Sequence, residues 1–283
     1  VTEEDIPVLL SMGKENLYVW EKNENMLHED EAAEILREIC QGEHMHASQP
    51  KEGKIELTSD IDGILTINVE KLLAVNSLGE MMIASRHGNF PVKTGDKIAG
   101  TRIIPLVIEE EKMQKACEVA GKEPIFRILP YQKKKAGIVT TGSEVYYHRI
   151  EDKFTPVVID KLKECGVTEM KQIQCNDDHE MITEAIQILI EDGSDLIVCT
   201  GGMSVDPDDR TPLAIKNACT EVVTYGAPVL PGAMFMLAYC EKEGRQIPVM
   251  GLPGCVMYAK RTIFDLVLPR IMCDEKLHHD GLY

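Results

Sequence analysis

The sequence predicts a mostly parallel α/β domain in the second half of the chain, preceded by a smaller β-rich α+β region. From Ala136 onward, short apolar segments alternate with amphipathic ones, and several apolar segments run directly into glycine-bearing turns. Such alternation is typical of a parallel sheet with helices on both faces. The continuous apolar run from Leu196 to Thr200 fits a strand buried on both sides. We therefore predict a three-layer α/β/α domain over residues 133–283.

The elements of this domain follow from the spacing of its apolar residues. In the segment 178–192, Ile182, Ala185, Ile186 and Leu189 recur at helical spacing, and Gly193 ends the run. The other segments are assigned in the same way. The predicted strands cover 136–141, 168–174, 196–200, 221–225 and a hairpin within 234–249, followed by a strand that ends in the 252–254 turn. The predicted helices cover 151–165, 178–192, 210–219 and 256–268.

The first half of the chain has a different pattern. Residues 1–50 carry twelve acidic and three basic side chains, and we predict an acidic, mainly helical segment with helices over 3–12 and 29–41. For residues 51–132 we predict a β-rich domain with a short helix over 110–120. Asp62-Gly63 predicts a hairpin turn, and Lys93-Thr94-Gly95-Asp96 predicts a second turn. Pro130 and the lysines at 133–135 mark the predicted boundary.

The composition narrows the functional classes. The 283 residues include 47 acidic and 30 basic side chains, for a net charge of −17. Nucleic-acid binding requires a basic surface, so we expect no nucleic-acid partner.

The nine cysteines are widely spaced and contain no C-x-x-C pair, unlike a zinc ribbon or a secreted disulfide framework. No apolar run reaches 18 residues, and the first residues are too acidic for a signal peptide. We expect a cytoplasmic protein without membrane association.

Three predicted strands end in glycine-bearing turns. These turns lie at Thr140–Glu144, at Thr200–Ser204 and at Leu252–Gly254. Ligands bind beyond the carboxyl ends of parallel strands, and glycines let backbone amides approach an anion closely. A single turn of this kind also suits an ordinary loop, but three in one domain indicate a binding site. None of them is a Walker A or G-x-G-x-x-G motif.

Acidic residues lie beside two of these turns. Asp177-Asp178 follows the predicted strand 168–174, and Asp206, Asp208 and Asp209 follow Gly201-Gly202. Carboxylates next to a phosphate-binding loop are suited to Mg²⁺, which prefers oxygen ligands. Alternatively, Asp178 and Asp209 are helix N-caps and the segment 206–209 is a plain turn. The residues alone leave both interpretations open.

The combined motifs resemble the molybdopterin-binding domain shared by MogA, MoaB and MoeA. The matching segments are Asp177-Asp178, Ala185 through Gly202, Ser204-Val205 and Asp209-x-Thr211-Pro212-x-Ala214. The turn at 140–144 is similar to the family's first T-G-D/S-E turn, and that at 251–254 to its L-P-G turn. The resemblance covers residues 135–272, about half of the chain. Because a β-rich unit precedes it, the arrangement is most similar to MoeA-like proteins.

The resemblance implies a function. MogA-type members adenylylate molybdopterin, a pterin dithiolene that bears a phosphate, using Mg-ATP, and MoeA-type members insert molybdate. Asp177 and Asp209 take the positions associated with metal binding and catalysis, and Mg²⁺ is the implied metal. The residues implied to surround the phosphate and the pterin are Thr141, Gly142, Ser143, Glu144, Gly201, Gly202, Ser204, Pro253 and Gly254. The implied partners are molybdopterin or adenylylated molybdopterin, ATP, molybdate and further copies of the chain in a homo-oligomer.

Two departures separate this chain from MoeA. Residues 229–235 read VLPGAMF where MoeA has a lysine-bearing segment, and Cys255-Val256 replaces the family's Asn-Pro. Cations that hold molybdate or pyrophosphate are therefore missing at the first position, and ligand binding is implied more directly than molybdate insertion. Two alternatives stay open: a non-catalytic carrier or sensor of the pterin cofactor, and a nucleotide pyrophosphatase of the CinA type, which shares this domain.

Overall fold

The structure is a computed structural model that describes residues 2–16 and 25–282. Residues 17–24, which belong to the predicted acidic segment, lie outside the described residues. In the described ranges, no helix combines the length and the apolar character needed to cross a membrane.

The first half folds into short antiparallel sheets with helices beside them. Its strands are β1 (Met26–His28), β2 (Met45–Ala47), β3 (Lys54–Ser59), β4 (Gly63–Ile67), β5 (Met81–Ser85), β6 (Phe90–Val92), β7 (Lys97–Ile103), β8 (Val107–Glu109) and β9 (Phe126–Pro130). Its helices are α1 (Ile6–Ser11), α2 (Glu29–Cys40), α3 (Val69–Asn76) and α4 (Glu110–Ala120). The sheets have the strand orders β1-β8, β2-β3-β7-β5 and β6-β4-β9. The β-rich region predicted before the α/β domain is confirmed.

The helix predicted over 29–41 forms as α2. Its N-terminus is closed by a capping box in which the His28 ring accepts a hydrogen bond from the Asp30 amide. The buried face of α2 includes Leu36 and Ile39, which share one core with Leu57 of β3. Side chains on both sides of residue 50 therefore contribute to the same core, and the division of the first half at that residue stays a prediction.

The hairpin predicted at Asp62-Gly63 is wrong. β3 and β4, which flank this dipeptide, belong to different sheets. The Asp62 carboxylate accepts hydrogen bonds from the amide of Thr94 at 2.8 Å and from its hydroxyl at 3.0 Å. At Gly63, a Cβ would lie 2.3 Å from the Leu129 carbonyl oxygen of β9. The dipeptide therefore fits a neighbouring loop and a closely packed strand rather than a tight turn.

Helix α3 lies in a stretch that was predicted to hold strands. The Asn68 side chain accepts a hydrogen bond from the Lys71 amide at 3.0 Å and caps the helix.

The predicted turn at 93–96 does form between β6 and β7, where the Asp96 amide donates to the Lys93 carbonyl oxygen at 2.9 Å.

The second half contains the predicted α/β domain. Its strands are β10 (Lys135–Thr141), β11 (Glu169–Cys175), β12 (Leu196–Thr200), β13 (Glu221–Tyr225), β14 (Met236–Lys242) and β15 (Arg245–Leu252). Its helices are α5 (Ser143–Tyr146), α6 (Phe154–Glu164), α7 (His179–Glu191), α8 (Thr211–Ala218) and α9 (Ile263–Met272). The sheet has the order β11-β10-β12-β15-β14-β13. The first four strands are parallel, and β14 is antiparallel to both of its neighbours. The mostly parallel sheet is confirmed.

Successive residues of the central strands face opposite cores. Ile138 packs in a core with α6 and α9, whereas Val139 packs in a second core with α7 and α8. Because strand side chains alternate in direction, a strand covered on both faces needs apolar residues at every position. This explains the continuous apolar run of β12, in which all five residues are buried.

The last helix begins later than predicted. The segment Gly254–Met257 forms a 3₁₀ turn, and α9 starts at Ile263. Thr262 and Asp265 form a capping box, in which the Thr262 hydroxyl accepts from the Phe264 amide at 3.3 Å and the Asp265 carboxylate accepts from the Thr262 amide at 2.7 Å. This box defines the helix start, which the apolar spacing alone misses.

The two halves are joined by a short connection. Residues 131–134 lead from β9 directly into β10. The Gln132 amide donates to the Met272 carbonyl oxygen at 2.8 Å, and the Cys273 thiol donates to the Leu129 carbonyl oxygen at 3.3 Å. Helix α9 also contacts β4 and β6 of the first half.

Candidate functional site

A cleft of about 1210 Å³ lies at the carboxyl ends of β10 and β12, next to the loop that follows β11. Most of the predicted site residues line it, because parallel strands end at the same edge of the sheet. The predicted residues along its wall are Thr141, Gly142, Ser143, Glu144, Asp177, Gly201, Gly202, Ser204 and Asp209. Pro253 and Gly254 do not line the cleft, although Met257 and Tyr258 of the same turn do.

The Gly201-Gly202 turn packs tightly against the end of β10. Gly201 has a φ of +87°, and a Cβ there would lie 2.5 Å from the Thr141 carbonyl oxygen. The Thr141 hydroxyl donates to the Thr200 carbonyl oxygen at 3.0 Å and lies 3.1 Å from the Thr211 hydroxyl. Glycine is required at Gly201 by the backbone conformation and by this close approach. The first and second predicted turns therefore form one wall.

Asp177 joins the first turn to the loop after β11. Its Oδ2 atom accepts a hydrogen bond from the Ser143 amide at 2.8 Å. The adjacent Asp178 has a different role, because its carboxylate caps α7 by accepting from the Glu180 amide at 2.8 Å. The interpretation of Asp178 as an N-cap is confirmed, and Asp177 is the member of the pair that lines the cleft.

Asp209 organises the loop after the glycine pair. Its Oδ2 atom accepts hydrogen bonds from the Ser204 amide at 2.9 Å and from the Ser204 hydroxyl. The Asp209 amide in turn donates to the Asp206 carbonyl oxygen at 2.9 Å. The interpretation of Asp209 as the cap of α8 is wrong, since the N-cap position is Arg210 and no side chain caps that helix.

The two cleft carboxylates suit Mg²⁺ only in combination with a ligand. Among residues 2–16 and 25–282, no group of three or more His, Cys, Asp or Glu side chains is placed to hold a metal ion. Within the same ranges, Asp177 and Asp209 both accept protein hydrogen bonds through Oδ2 but not through Oδ1. Magnesium commonly binds through one or two carboxylates, several waters and substrate phosphates. Among the described residues, each carboxylate thus keeps one oxygen without a protein donor, as a Mg²⁺ ion held partly by a phosphorylated ligand would require.

A second part of the cleft lining, the apolar wall, consists of apolar and aromatic side chains. Val145, Ile150, Phe154, Met257 and Tyr258 line it. Tyr258 is 82% exposed and Ile150 is 58% exposed, so both present apolar surface to the cleft. Surface of this kind suits a flat heterocyclic ring, which stacks on aromatic and aliphatic side chains.

Two cations also line the cleft, and sequence reasoning missed both. Neither Lys153 nor Arg210 forms an ion pair with a carboxylate in the described part of the chain, and both side chains are exposed. Arg210 directly follows the motif residue Asp209, which is a local signal. Lys153 has no such signal, because it reaches the cleft only through the path of the chain between α5 and α6.

The second half of the chain is similar to known proteins. Residues 137–272 match the family described as "Probable molybdopterin binding domain". The match covers 136 of the 283 residues, just under half of the chain. The match lies within the α/β unit and contains both glycine turns and both cleft carboxylates.

The curated relatives are CinA-like proteins. One from Mycobacterium sp. (strain MCS) is 36% identical over 85 residues, which is 30% of this chain and 20% of that protein. Another from Mycobacterium avium (strain 104) is 35% identical over 95 residues, which is 34% of this chain and 22% of that protein. The chain thus spans about a fifth of the length of these relatives.

Similar solved structures include the tungsten cofactor synthesizing protein MoaB from Pyrococcus furiosus. It is 21% identical, with a TM-score of 0.41, and the likeness covers 50% of this chain and 92% of that one. CinA from Thermoplasma acidophilum is 16% identical, with a TM-score of 0.36, and covers 42% of this chain and 88% of that one. A likeness to MoeA in particular stays a prediction.

Proposed function

We propose that the cleft binds molybdopterin or adenylylated molybdopterin and serves Mg²⁺-dependent chemistry of molybdenum cofactor assembly in the cytoplasm. One observation carries the proposal. One cleft is lined both by two glycine turns and two carboxylates, which form a polar wall, and by apolar and aromatic side chains. Molybdopterin has the matching parts, a phosphate and a flat pterin ring. The match of residues 137–272 to a molybdopterin-binding family supports this choice of ligand.

The residues of the polar wall would hold the phosphate. Backbone amides of Gly201 and Gly202 can approach an anion closely because these residues carry no side chain. Arg210 and Lys153 add positive charge at the edge of the same cleft. Asp177 and Asp209 would hold Mg²⁺ together with phosphate oxygens, and the ion would supply charge neutralisation during phosphoryl chemistry. The protein's own contribution is mainly to position the reacting groups.

Of the two reactions considered, adenylyl transfer from Mg-ATP fits this cleft better than molybdate insertion. Residues 229–235 contain no lysine, so the cation that MoeA-type proteins place there is absent from this segment. The two carboxylates of the cleft instead fit a magnesium-bound phosphate. Self-association into a homo-oligomer is part of the proposal and rests on resemblance to the family alone.

The curated relatives favour a second candidate. They are named CinA-like proteins and align with the chain at 36% identity over 85 residues. A nucleotide pyrophosphatase of the CinA type would place a nucleobase on the apolar wall and a pyrophosphate on the polar wall. A non-catalytic carrier or sensor of the pterin cofactor would use the same surfaces without turnover.

Calorimetric titrations distinguish these functions. Molybdopterin, ATP and ADP-ribose are titrated separately into the protein, with and without Mg²⁺, and products are analysed by mass spectrometry. We expect micromolar binding of molybdopterin that Mg²⁺ strengthens, and formation of adenylylated molybdopterin when ATP is added. Tight pterin binding without turnover would favour the carrier, and hydrolysis of ADP-ribose would favour the pyrophosphatase. Absence of binding by all three compounds would exclude the proposed site.

Replacing Arg210 by glutamine should weaken binding of the phosphorylated ligand by about tenfold, because one charge-assisted contact to the phosphate is lost. Binding is measured by calorimetry at two salt concentrations. Lys216→Gln is the matched control, since this exposed cation lies in α8 and does not line the cleft. Equal losses in the two variants would show only a general charge effect and would contradict the role of Arg210.

A further inference from the structure

Two cysteines outside the cleft lie in direct contact. The Sγ atoms of Cys219 and Cys240 are 2.7 Å apart. Cys219 follows the last residue of α8, and Cys240 lies in β14. An S–S bond is about 2.05 Å long. The two sulfur atoms therefore need to approach by only about 0.7 Å to reach bonding distance.

Backbone hydrogen bonds hold both cysteines at this position. The Cys219 amide donates to the Ile215 carbonyl oxygen at 3.1 Å, which closes the end of α8. The next residue, Thr220, donates its amide to the Tyr239 carbonyl oxygen at 3.0 Å, and Tyr239 directly precedes Cys240. The Cys240 thiol also lies 3.3 Å from the Ala218 carbonyl oxygen. These contacts keep the two thiols next to each other.

The two thiols differ in their access to solvent. Cys219 is partly exposed, whereas Cys240 is 4% exposed and Cys199 in the same core is fully buried. A small oxidant in solution therefore meets Cys219 first, and Cys240 is the adjacent thiol that can resolve the product. In many reversibly oxidised pairs a solvent-accessible thiol of low pKa lies beside a second, resolving thiol, and this pair shares the accessibility and the neighbouring thiol.

We propose that Cys219 and Cys240 form a reversible disulfide when the protein meets a peroxide. The Cys219 sulfur attacks hydrogen peroxide, the O–O bond breaks, and a sulfenic acid and water form. The Cys240 sulfur then attacks the sulfenic sulfur, the S–S bond forms, and the S–O bond breaks with release of a second water. The two thiols lose two electrons and two protons, and one peroxide is reduced to two waters.

The cross-link joins the end of α8 to β14. The opposite end of α8 directly follows Arg210 of the cleft, and a helix of eight residues is about 12 Å long. The disulfide would form at the far end of this helix, away from Arg210 and the other cleft residues. The proposal is independent of the ligand that the cleft binds.

Peptide mapping of the full 283-residue protein tests the proposal. The protein is treated with a stoichiometric amount of hydrogen peroxide, alkylated under denaturing conditions, digested and analysed by mass spectrometry. We expect a Cys219–Cys240 cross-linked peptide that is two hydrogens lighter than its reduced components and disappears with dithiothreitol. Cys117→Ser, which removes an exposed thiol elsewhere, should retain the cross-link. Alkylation of both residues after oxidation, irreversible oxidation of Cys219, or pairing with another cysteine would overturn the proposal.

Discussion

Replacing Asp177 by asparagine should abolish the Mg²⁺ dependence of ligand binding while leaving the fold intact. Asparagine keeps the side-chain oxygen that accepts from the Ser143 amide but loses the negative charge that would attract the ion. For whichever of molybdopterin and ATP binds the wild type, we expect affinity in Mg²⁺ to fall roughly 10- to 100-fold. Calorimetry with and without EDTA measures this loss, and scanning calorimetry follows the melting temperature.

The neighbouring aspartate offers a matched control. Asp178→Ala removes the cap of α7 and should lower the free energy of unfolding by about 1 kcal/mol, without changing the response to Mg²⁺. A large drop in melting temperature for Asp177→Asn, with unchanged Mg²⁺ dependence, would mean that Asp177 only supports the turn at Ser143. The two variants thus separate a metal-binding role from a structural one.

Replacing Gly201 by alanine should lower the free energy of unfolding by about 2 to 3 kcal/mol, because of its φ of +87° and the 2.5 Å approach of a Cβ to the Thr141 carbonyl oxygen. For a chain of 283 residues the melting temperature should fall by roughly 3 to 5 °C. Scanning calorimetry measures this shift. Ligand affinity should fall with it, since the turn forms one wall of the cleft.

Gly254→Ala is the corresponding control. A Cβ at Gly254 meets no heavy atom within 4 Å, and its φ is not in the left-handed range. We expect a change in unfolding free energy within about 0.5 kcal/mol and no loss of ligand affinity. A clear loss of affinity in Gly254→Ala would instead favour the ligand contact that the family's L-P-G motif implies at this position.

The α/β half could be predicted from sequence because its signals are local. Each central strand is apolar at successive positions, and each long helix shows a clear period, so no distant contact is needed to recognise them. The late start of α9 was missed because the apolar positions 256 and 257 belong to a 3₁₀ turn. The capping box of Thr262 and Asp265 was the stronger signal.

The fold of the first half was harder to predict from sequence, because residues typical of turns make long-range contacts there instead. Asp62 bonds to Thr94, 32 positions away, and Gly63 accommodates the backbone of β9. The Asp-Gly dipeptide has the composition of a hairpin turn, and only the tertiary structure reveals its different use. Helix α3 has eight residues, too few for its period to stand out from the surrounding strands.

The candidate site shows the same limit. Motif residues such as Asp177 and Gly201 could be named because they directly follow predicted strands. The apolar wall could not be predicted in this way. Ile150 lies in the connection between α5 and α6, and Tyr258 lies in the connection between β15 and α9, so that only the fold brings both to the cleft. The different orientations of Asp177 and Asp178 are equally invisible in the sequence, because both are aspartates at the same junction.

The short connection between the halves limits how the second half can be used alone. A fragment that begins at Lys133 keeps every strand of the six-stranded sheet but loses the partners of the Met272 carbonyl oxygen and the Cys273 thiol. It also exposes the face of α9 that contacts β4 and β6 of the first half. A cut at residue 133 therefore leaves the six-stranded sheet complete but removes contacts that α9 and the residues after it make with the first half. If the fragment were expressed alone, this newly exposed apolar surface would make it prone to aggregate.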